Sequence, residues 1–385
     1  MIVKKFGGTS VSDIKKIEHV ADIICEKKSS KIPLIVVVSA MSGTTNQLLT
    51  YFLKYSFKNS YREHDALLSA GENIVAALLS VILNHKGIKA KSFQGWQVPI
   101  YTDSNYSRAR ITKINKSKIN ECLINEIVPV ISGFQGVYKD NITTFGRNGS
   151  DITATALAAA FSADYCNIYT DVEGVHTTDP RLVKNVGIIN KISYEEMLEM
   201  SYSGAKILHP RAISIAMSYN IPIKVMSSFS RNKGTLITNI NMEKLQIKSI
   251  TVNNDIAFCQ IIHNKDCSKD IKKIIDIISK INNSYYYISN NKIEFTFILT
   301  KAKEIEKQLS CYQYNILTQI SMISIIGYGL NDDLSILQKA YNAFENAKIN
   351  VLCSYNATNK LSFIINQNKL DKAVILLHKL FGLHV

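Results

Sequence analysis

The sequence predicts an α/β protein: a three-layer α/β/α domain over residues 1–240, then two smaller α+β units over 247–318 and 319–385. Three observations carry this. Up to about residue 240, apolar runs of strand length alternate with helical stretches, the order expected of a buried sheet with helices on both faces. Several of those runs end in glycine- and hydroxyl-rich turns, and open α/β sheets collect ligands at such strand ends. From Ile247 the texture changes to short strands around helical runs, in two copies of a βαββαβ-like order.

Bulk properties narrow the function. A chain of 385 residues is long enough for two or three domains. Its hydrophobic fraction of 46% and charged fraction of 20% are those of a soluble globular protein. We expect no apolar run of bilayer-spanning length. The chain opens directly into strand-like Ile2-Val3-Lys4-Lys5-Phe6 without a secretory signal, so a cytoplasmic enzyme with no membrane partner is expected. The seven cysteines (25, 122, 166, 259, 267, 311 and 353) are scattered and odd in number, and none forms a C-x-x-C pair. That pattern argues against a disulfide framework or a zinc site and for reduced, buried thiols. The net charge of +14 comes from lysines spread through the whole chain among asparagines and isoleucines. A nucleic-acid binder would gather them in a stripe with aromatics between, so solvated lysine faces are the expectation and nucleic acid is not an expected partner.

The elements follow in order. A first strand runs into Phe6-Gly7-Gly8-Thr9-Ser10-Val11 and a helix over 12–28. Strand, glycine turn and helix make a phosphate cradle, because glycine lets backbone amides approach phosphate oxygens. Lys5, just ahead of the glycines, is placed to hold charge at a transferring phosphoryl group. No G-x-x-x-x-G-K-[ST] is present, so this is not a Walker loop. The run 33–39 reads as a buried parallel strand and ends in a hydroxyl-rich loop over 39–46. Residues 64–84 read as one long helix; Gly71 inside it signals close approach or a helix start, since an interior glycine costs about 1 kcal/mol. Beside it, Glu72 is suited to an ammonium group. Strands are expected within 87–99 and 127–136, and a hairpin over 137–145.

The stretch 143–161 is the centre of the reading. Thr144-Phe145-Gly146-Arg147-Asn148-Gly149-Ser150-Asp151 is a polar turn, and 152–161 is an alanine-rich helix with Ser150 or Asp151 as its N-cap. A helix N-terminus favours anions through its unpaired N–H groups and its dipole. Arg147 adds a planar fork for a carboxylate or phosphate. Next come a strand over 165–171 closing on Thr170 and Asp171, a turn-rich loop to Arg181, a helix opened by 203–210, and a strand over 221–226. His209, before a proline, is expected to be a packed or capping histidine. In the tail, helices are expected near 269–281, 333–347 and 370–380, and strands over 321–327, 349–355 and 360–365.

Together these motifs resemble the aspartate kinases of the amino-acid-kinase superfamily, in their compact monofunctional form. The marks are KFGGTSV at 5–11, SAMSGTTN at 39–46, AGE at 70–72, GRNGSD at 146–151, TDVEGVHTTDPR at 170–181 and GAKILHP at 204–210. The tail is similar to that family's paired ACT modules, with SIIGYGLND at 324–332 in place of a glycine turn of the second module. The resemblance implies transfer of the ATP γ-phosphoryl group to the β-carboxylate of L-aspartate. By matching motif, Lys5 would stabilise the phosphoryl group, Gly7 and Gly8 would give backbone donors, and Asp151 would hold Lys5. Ser39, Thr45, Glu72, Arg147 and Ser150 would bind aspartate. Thr170, Asp171, His176, Arg181 and Lys206 would form the nucleotide pocket, with Mg2+ carried mainly by the phosphates and no protein metal site. The ACT-like tail implies a homodimer or higher homo-oligomer and lysine or threonine as effector.

Three positions depart from the family pattern: Asn148 stands for a glycine, His176 for a tyrosine, and no effector turn is legible in Asn264-Lys265-Asp266-Cys267. Asparagine tolerates left-handed φ, so activity is expected to survive at 148. The 204–210 motif and the tail argue against a kinase for a nucleotide monophosphate or acetylglutamate. Lys5, Arg147 and Asp151 argue against a purely regulatory subunit.

Overall fold

The computed structural model describes residues 1–28, 32–55, 60–240, 246–262, 268–281, 285–289, 292–330 and 333–384. The chain divides into two compact units. One comprises Met1–Val175, Ile188–Leu198 and Lys206–Asn241; the other comprises His176–Gly187, Glu199–Ala205 and Met242–Val385.

In the first unit the elements are β1 (Ile2–Phe6), α1 (Ile14–Lys28), β2 (Leu34–Val38), α2 (Thr44–Tyr55), α3 (Tyr61–Leu68), α4 (Ala70–His85), β3 (Ala90–Phe93), β4 (Ile100–Thr102), β5 (Ile111–Ile114), α5 (Ser117–Ile124), β6 (Val128–Ser132), β7 (Gln135–Tyr138), β8 (Asn141–Thr144), α6 (Gly149–Ala160), β9 (Tyr165–Thr170), β10 (Lys191–Ile192), α7 (Tyr194–Tyr202, which runs on into the second unit), α8 (Pro210–Ser218), β11 (Ile223–Ser227) and β12 (Thr235–Ile237). Eight strands form one sheet in the order β10-β12-β11-β9-β1-β2-β6-β3. Only the β11–β12 pair is antiparallel.

The central strands IVKKF, LIVVV and VPVIS are buried almost end to end, which is why LIVVV and VPVIS read as apolar runs, whereas β1 buries the charged side chains of Lys4 and Lys5. On one face Phe6, Val36, Val38 and Val130 pack with Ile17, Val20 and Ile24 of α1 and Val75, Leu79 and Leu83 of α4. On the other lies α6, buried from Gly149 through Ala158. Its alanines lack the bulk to hold the backbone away from β1 and β9. A smaller mixed sheet, β5-β4-β7-β8, contains the expected hairpin as β7–β8.

The structure differs from the sequence-based expectations at several places. The helix expected over 64–84 is two helices, α3 and α4, with the break at Ser69. Gly71, just past the break, makes the close approach its sequence context suggests: a Cβ there would meet the Ala40 side chain at 2.7 Å. Contrary to the absence of any bilayer-length run, 61–85 is long and apolar enough by length and composition, although half of its most apolar window is buried. Helix α6 starts at Gly149 with Asn148 as its N-cap residue, so Ser150 and Asp151 lie inside the first turn rather than capping it. Strands β4 and β5 and helices α5 and α7 are short and showed no periodicity to read.

The second unit contains β13 (Gln246–Asn253), β14 (Ile256–Ile262), α9 (Ser268–Ser279), β15 (Tyr286–Ile288), β16 (Lys292–Ile298), α10 (Ala302–Gln308), β17 (Gln313–Leu317), β18 (Ile320–Tyr328), α11 (Leu334–Asn346), β19 (Val351–Ala357), β20 (Lys360–Asn366) and α12 (Leu370–Leu380). They form two antiparallel sheets, β15-β16-β14-β17 and β13-β18-β20-β19. Helices α9 and α10 cover the first around Ile274, Phe295 and Ile305. Helices α11 and α12 cover the second around Phe344, Phe363 and Val374. Strand β13, expected with the first repeat, is hydrogen-bonded to β18 in the second sheet.

Cys122, Cys166 and Cys259 are buried free thiols as expected, whereas Cys311 is exposed. Asn264 to Cys267, Asn331 and Asp332 lie outside the described residues.

Candidate active site

Because β1, β2, β6 and β9 are parallel, their carboxyl ends share one edge of the sheet. Lys5 is near the end of β1, on the face toward α6. Its Nζ lies 2.7 Å from Asp151 Oδ1, and both side chains are almost fully buried. Asp151 sits in the first turn of α6, where the helix dipole favours a negative group. Its Oδ2 accepts a longer hydrogen bond, 3.3 Å, from the His209 N–H. The turn that delivers Asp151 requires a left-handed residue at 148, and Asn148 supplies it at φ 56, ψ 24. Ser150 is buried against Gly133 at the end of β6; a Cβ at 133 would meet Ser150 Cβ and Oγ at 2.6 Å.

Two loops are joined beside Lys5. The Ser39 N–H donates to Phe6 C=O at 3.1 Å, and the Ser42 N–H donates to Gly8 C=O at 3.2 Å. Ser39 is half-buried, and Thr45 is half-buried in the first turn of α2. Gly7 does not offer the amide expected of it, since its N–H donates to Tyr169 C=O at 2.9 Å. Glu72, in the first turn of α4, is only 4% exposed, and its Oε2 has no hydrogen-bond partner. Burial pushes its carboxyl up to about 8, against the opposing effects of the Ala40 backbone N–H and the Lys5 charge. A buried carboxyl with one oxygen unpartnered beside a hydroxyl-rich loop suits an incoming ammonium group, whose charge favours its ionised form.

Arg147 is exposed at the tip of the turn. At the end of β9, Thr170 Oγ1 donates to Asp171 Oδ1 at 3.0 Å, and Thr170 C=O accepts from the Ser228 N–H at 2.9 Å. Lys206 is exposed on the segment leading to His209. His209 is the capping histidine expected: its Nδ1 accepts from the Arg211 N–H at 3.0 Å. Burial first, then the Arg211 charge, holds its pKa below the usual imidazole value. Lys5, Gly7, Gly8, Ser39, Glu72, Ser150, Asp151 and Thr170 thus belong to one unit, as do Thr45, Arg147, Asp171 and Lys206. His176 and Arg181 belong to the second unit, where Arg181 is exposed and bound to Asp179 through Nη2–Oδ2 at 2.7 Å.

Sequence reasoning missed two organisers of the central turn. Asp65 on α3 is fully buried and accepts from the Thr144 N–H at 2.7 Å, Thr144 Oγ1 at 2.8 Å and the Ser107 N–H at 2.8 Å. Arg211 donates to Phe145 C=O at 3.1 Å and Ala109 C=O at 2.8 Å. Arg211 directly follows the GAKILHP motif, and that adjacency was the available signal; Asp65 had none.

Among the described residues no group of three His, Cys, Asp or Glu side chains is placed to hold a metal ion. A magnesium ion that arrives on a nucleotide, held by phosphate oxygens and water, is compatible with such a site.

The family model of the amino acid kinase family matches residues 1–227. The aspartokinase of Rickettsia felis is 40% identical over 402 aligned residues covering 99% of each chain. The aspartate kinase of Pseudomonas fluorescens is 39% identical, covering 100% of this chain and 98% of its own. The structure of E. coli aspartokinase III, solved in complex with aspartate and ADP, matches in fold at a TM-score of 0.84 and 23% identity, covering 99% of this chain and 100% of that one. The chain therefore belongs to the amino acid kinase family and, within it, to the aspartokinases.

Proposed function

We propose that the phosphoryl transfer of this aspartokinase, from ATP to the β-carboxylate of L-aspartate to give 4-phospho-L-aspartate, takes place at the edge where β1, β2, β6 and β9 end. The observation that carries this is the buried Lys5–Asp151 pair, 2.7 Å apart at the start of α6. A carboxylate nucleophile is already ionised at neutral pH, so the site needs no strong general base. Catalysis is then positioning and stabilisation of charge on the transferring group. The Lys5 ammonium, fixed by Asp151, is the group at hand for the equatorial oxygens, and Gly8 brings backbone close to them.

Aspartate would bind with its ammonium on Glu72 and its α-carboxylate on Arg147, with Ser39, Thr45 and Ser150 as hydroxyl partners. Thr170, Asp171 and Lys206 would hold the nucleotide, while His176 and Arg181 are assigned to it by their motif alone. Magnesium would neutralise phosphate charge without a protein cage of its own. A catalytic domain over 1–240 followed by two ACT-like modules, with β13 assigned to the second of them, assembly into homo-oligomers through these modules, lysine or threonine as effector, and a cytoplasmic location belong to the same proposal.

The test is ATP turnover with L-aspartate, trapping the acyl phosphate as its hydroxamate, with and without lysine and threonine. Lys5→Ala and Asp151→Ala should each lower kcat by about 10^3-fold or more with the fold retained, about 4 kcal/mol of transition-state stabilisation. Near-normal kcat in both well-folded variants would remove Lys5 and Asp151 from the reaction. Inhibition by neither amino acid would remove them as effectors.

A further inference from the structure

The eight-stranded sheet has a second concave site, away from Lys5 and on the other face. Lys4, Asn167, Lys224 and Leu236 are register partners across β1, β9, β11 and β12, so they form one row on one face. Side chains alternate along a strand, which puts this row opposite the face that carries Lys5. The β9–β11–β12 part of that row borders a recess of about 570 Å³. Ile2 and Tyr165, which also line it, are the first residues of β1 and β9. The recess extends from the first residues of β1 and β9 along this face to Lys233 and Gly234, which lead into β12 beside Val225 and Met226 of β11.

Its chemistry is specific. Asn167 is 5% exposed and lines the recess, and its Oδ1 has no hydrogen-bond partner. A buried carbonyl oxygen left without a donor is costly, and a bound donor removes that cost. Lys224 and Lys233 also line the recess. Neither forms an ion pair with a carboxylate among the described residues. Asn190 adds a further amide, and the Tyr165 ring and Leu236 make an apolar wall. Two unneutralised ammonium groups match a dianion; the orphaned amide oxygen calls for a hydroxyl or amine donor; the wall fits a ring.

We infer that this recess binds a small phosphate monoester, its phosphate between Lys224 and Lys233 and a hydroxyl or amine hydrogen-bonded to Asn167. Sugar phosphates and nucleoside monophosphates share that chemistry. The inference stands on different residues from the kinase site and does not rest on it.

The experiment is calorimetric titration of the full chain, with ADP and L-aspartate saturating, using inorganic phosphate, ribose 5-phosphate and AMP as separate probes. Ribose 5-phosphate or AMP should bind saturably, at least tenfold tighter than inorganic phosphate, and the tighter of the two names the source. Lys233→Glu, at an exposed position, and Lys224→Glu should each weaken that binding tenfold or more, with aspartate-dependent turnover in the absence of probe within twofold of normal. No saturable binding of either monoester, or binding indifferent to both substitutions, overturns the inference.

Discussion

At the scale of single residues, Glu72 makes the sharpest prediction. Its carboxyl is raised to about 8 chiefly by burial. An acid whose folded pKa is raised stays protonated in the folded chain while the unfolded chain ionises. The resulting stability is fully present below about pH 4.5, declines as pH rises toward 8, and is constant above that. Glu72→Gln, which cannot ionise, should therefore raise Tm at pH 8 and leave it nearly unchanged at pH 4. Binding carries the opposite sign. A substrate ammonium beside Glu72 favours the carboxylate, so aspartate binding at pH 7 should release close to one proton. The apparent Kd for aspartate should tighten by up to about tenfold per pH unit below 8 and level off above it. Calorimetry in buffers of different ionisation enthalpy reads the proton directly. A Kd independent of pH between 6 and 8 would take Glu72 away from the ammonium.

At the scale of elements, the site depends on how the start of α6 locks against the end of β6. Gly133 faces Ser150 so closely that a methyl group at 133 would meet Ser150 Cβ and Oγ at 2.6 Å and Val38 C=O at 2.8 Å. Both neighbours belong to packed elements, so neither yields cheaply. Gly133→Ala should cost about 1–3 kcal/mol of stability. Because the displaced turn also carries Asp151, kcat/KM for aspartate should fall far more than stability alone explains, measured under conditions where the variant is fully folded. Full activity in a destabilised Gly133→Ala protein would show that the first turn of α6 need not be held so tightly. Strands β2 and β6 were legible because burial on both faces writes an apolar run, whereas β1 and β9, which carry Lys4, Lys5 and Asn167, were legible by the polar turns they lead into. Asn148 was legible because left-handed turns admit few residues. Asp65 was not: its role comes from Ser107 and Thr144, 42 and 79 residues further along the chain, and a local pattern carries no trace of such pairings. The donor role expected of Gly7 failed for the same reason, since Tyr169 C=O, its actual partner, is remote in sequence.

At the scale of the whole molecule, the tail is interleaved rather than two repeats in tandem. Strand β13 enters the second sheet first; the chain then builds β14 to β17 as a separate sheet and returns in β18 to pair with β13 along Gln246–Tyr328 through Asn253–Met322. A repeat read from sequence assigns each strand to its nearest neighbours, which is why 247–253 was expected with the first unit. The loop closed by this pairing contains a complete four-stranded sheet, and closure entropy grows only slowly with loop length, so the long return is affordable. Ile250 on β13 is fully buried with Ile323, Ile325 and Phe363 of the second sheet. Ile250→Ala should cost about 2–5 kcal/mol. In hydrogen exchange on the full chain, the protection lost should fall on 320–328 and 360–366, while amides of 256–262 and 292–298 keep theirs. If protection were lost instead from 256–298, β13 would belong energetically to the first repeat despite its hydrogen bonds, and the boundary at 318 would mark where one module ends and the other begins.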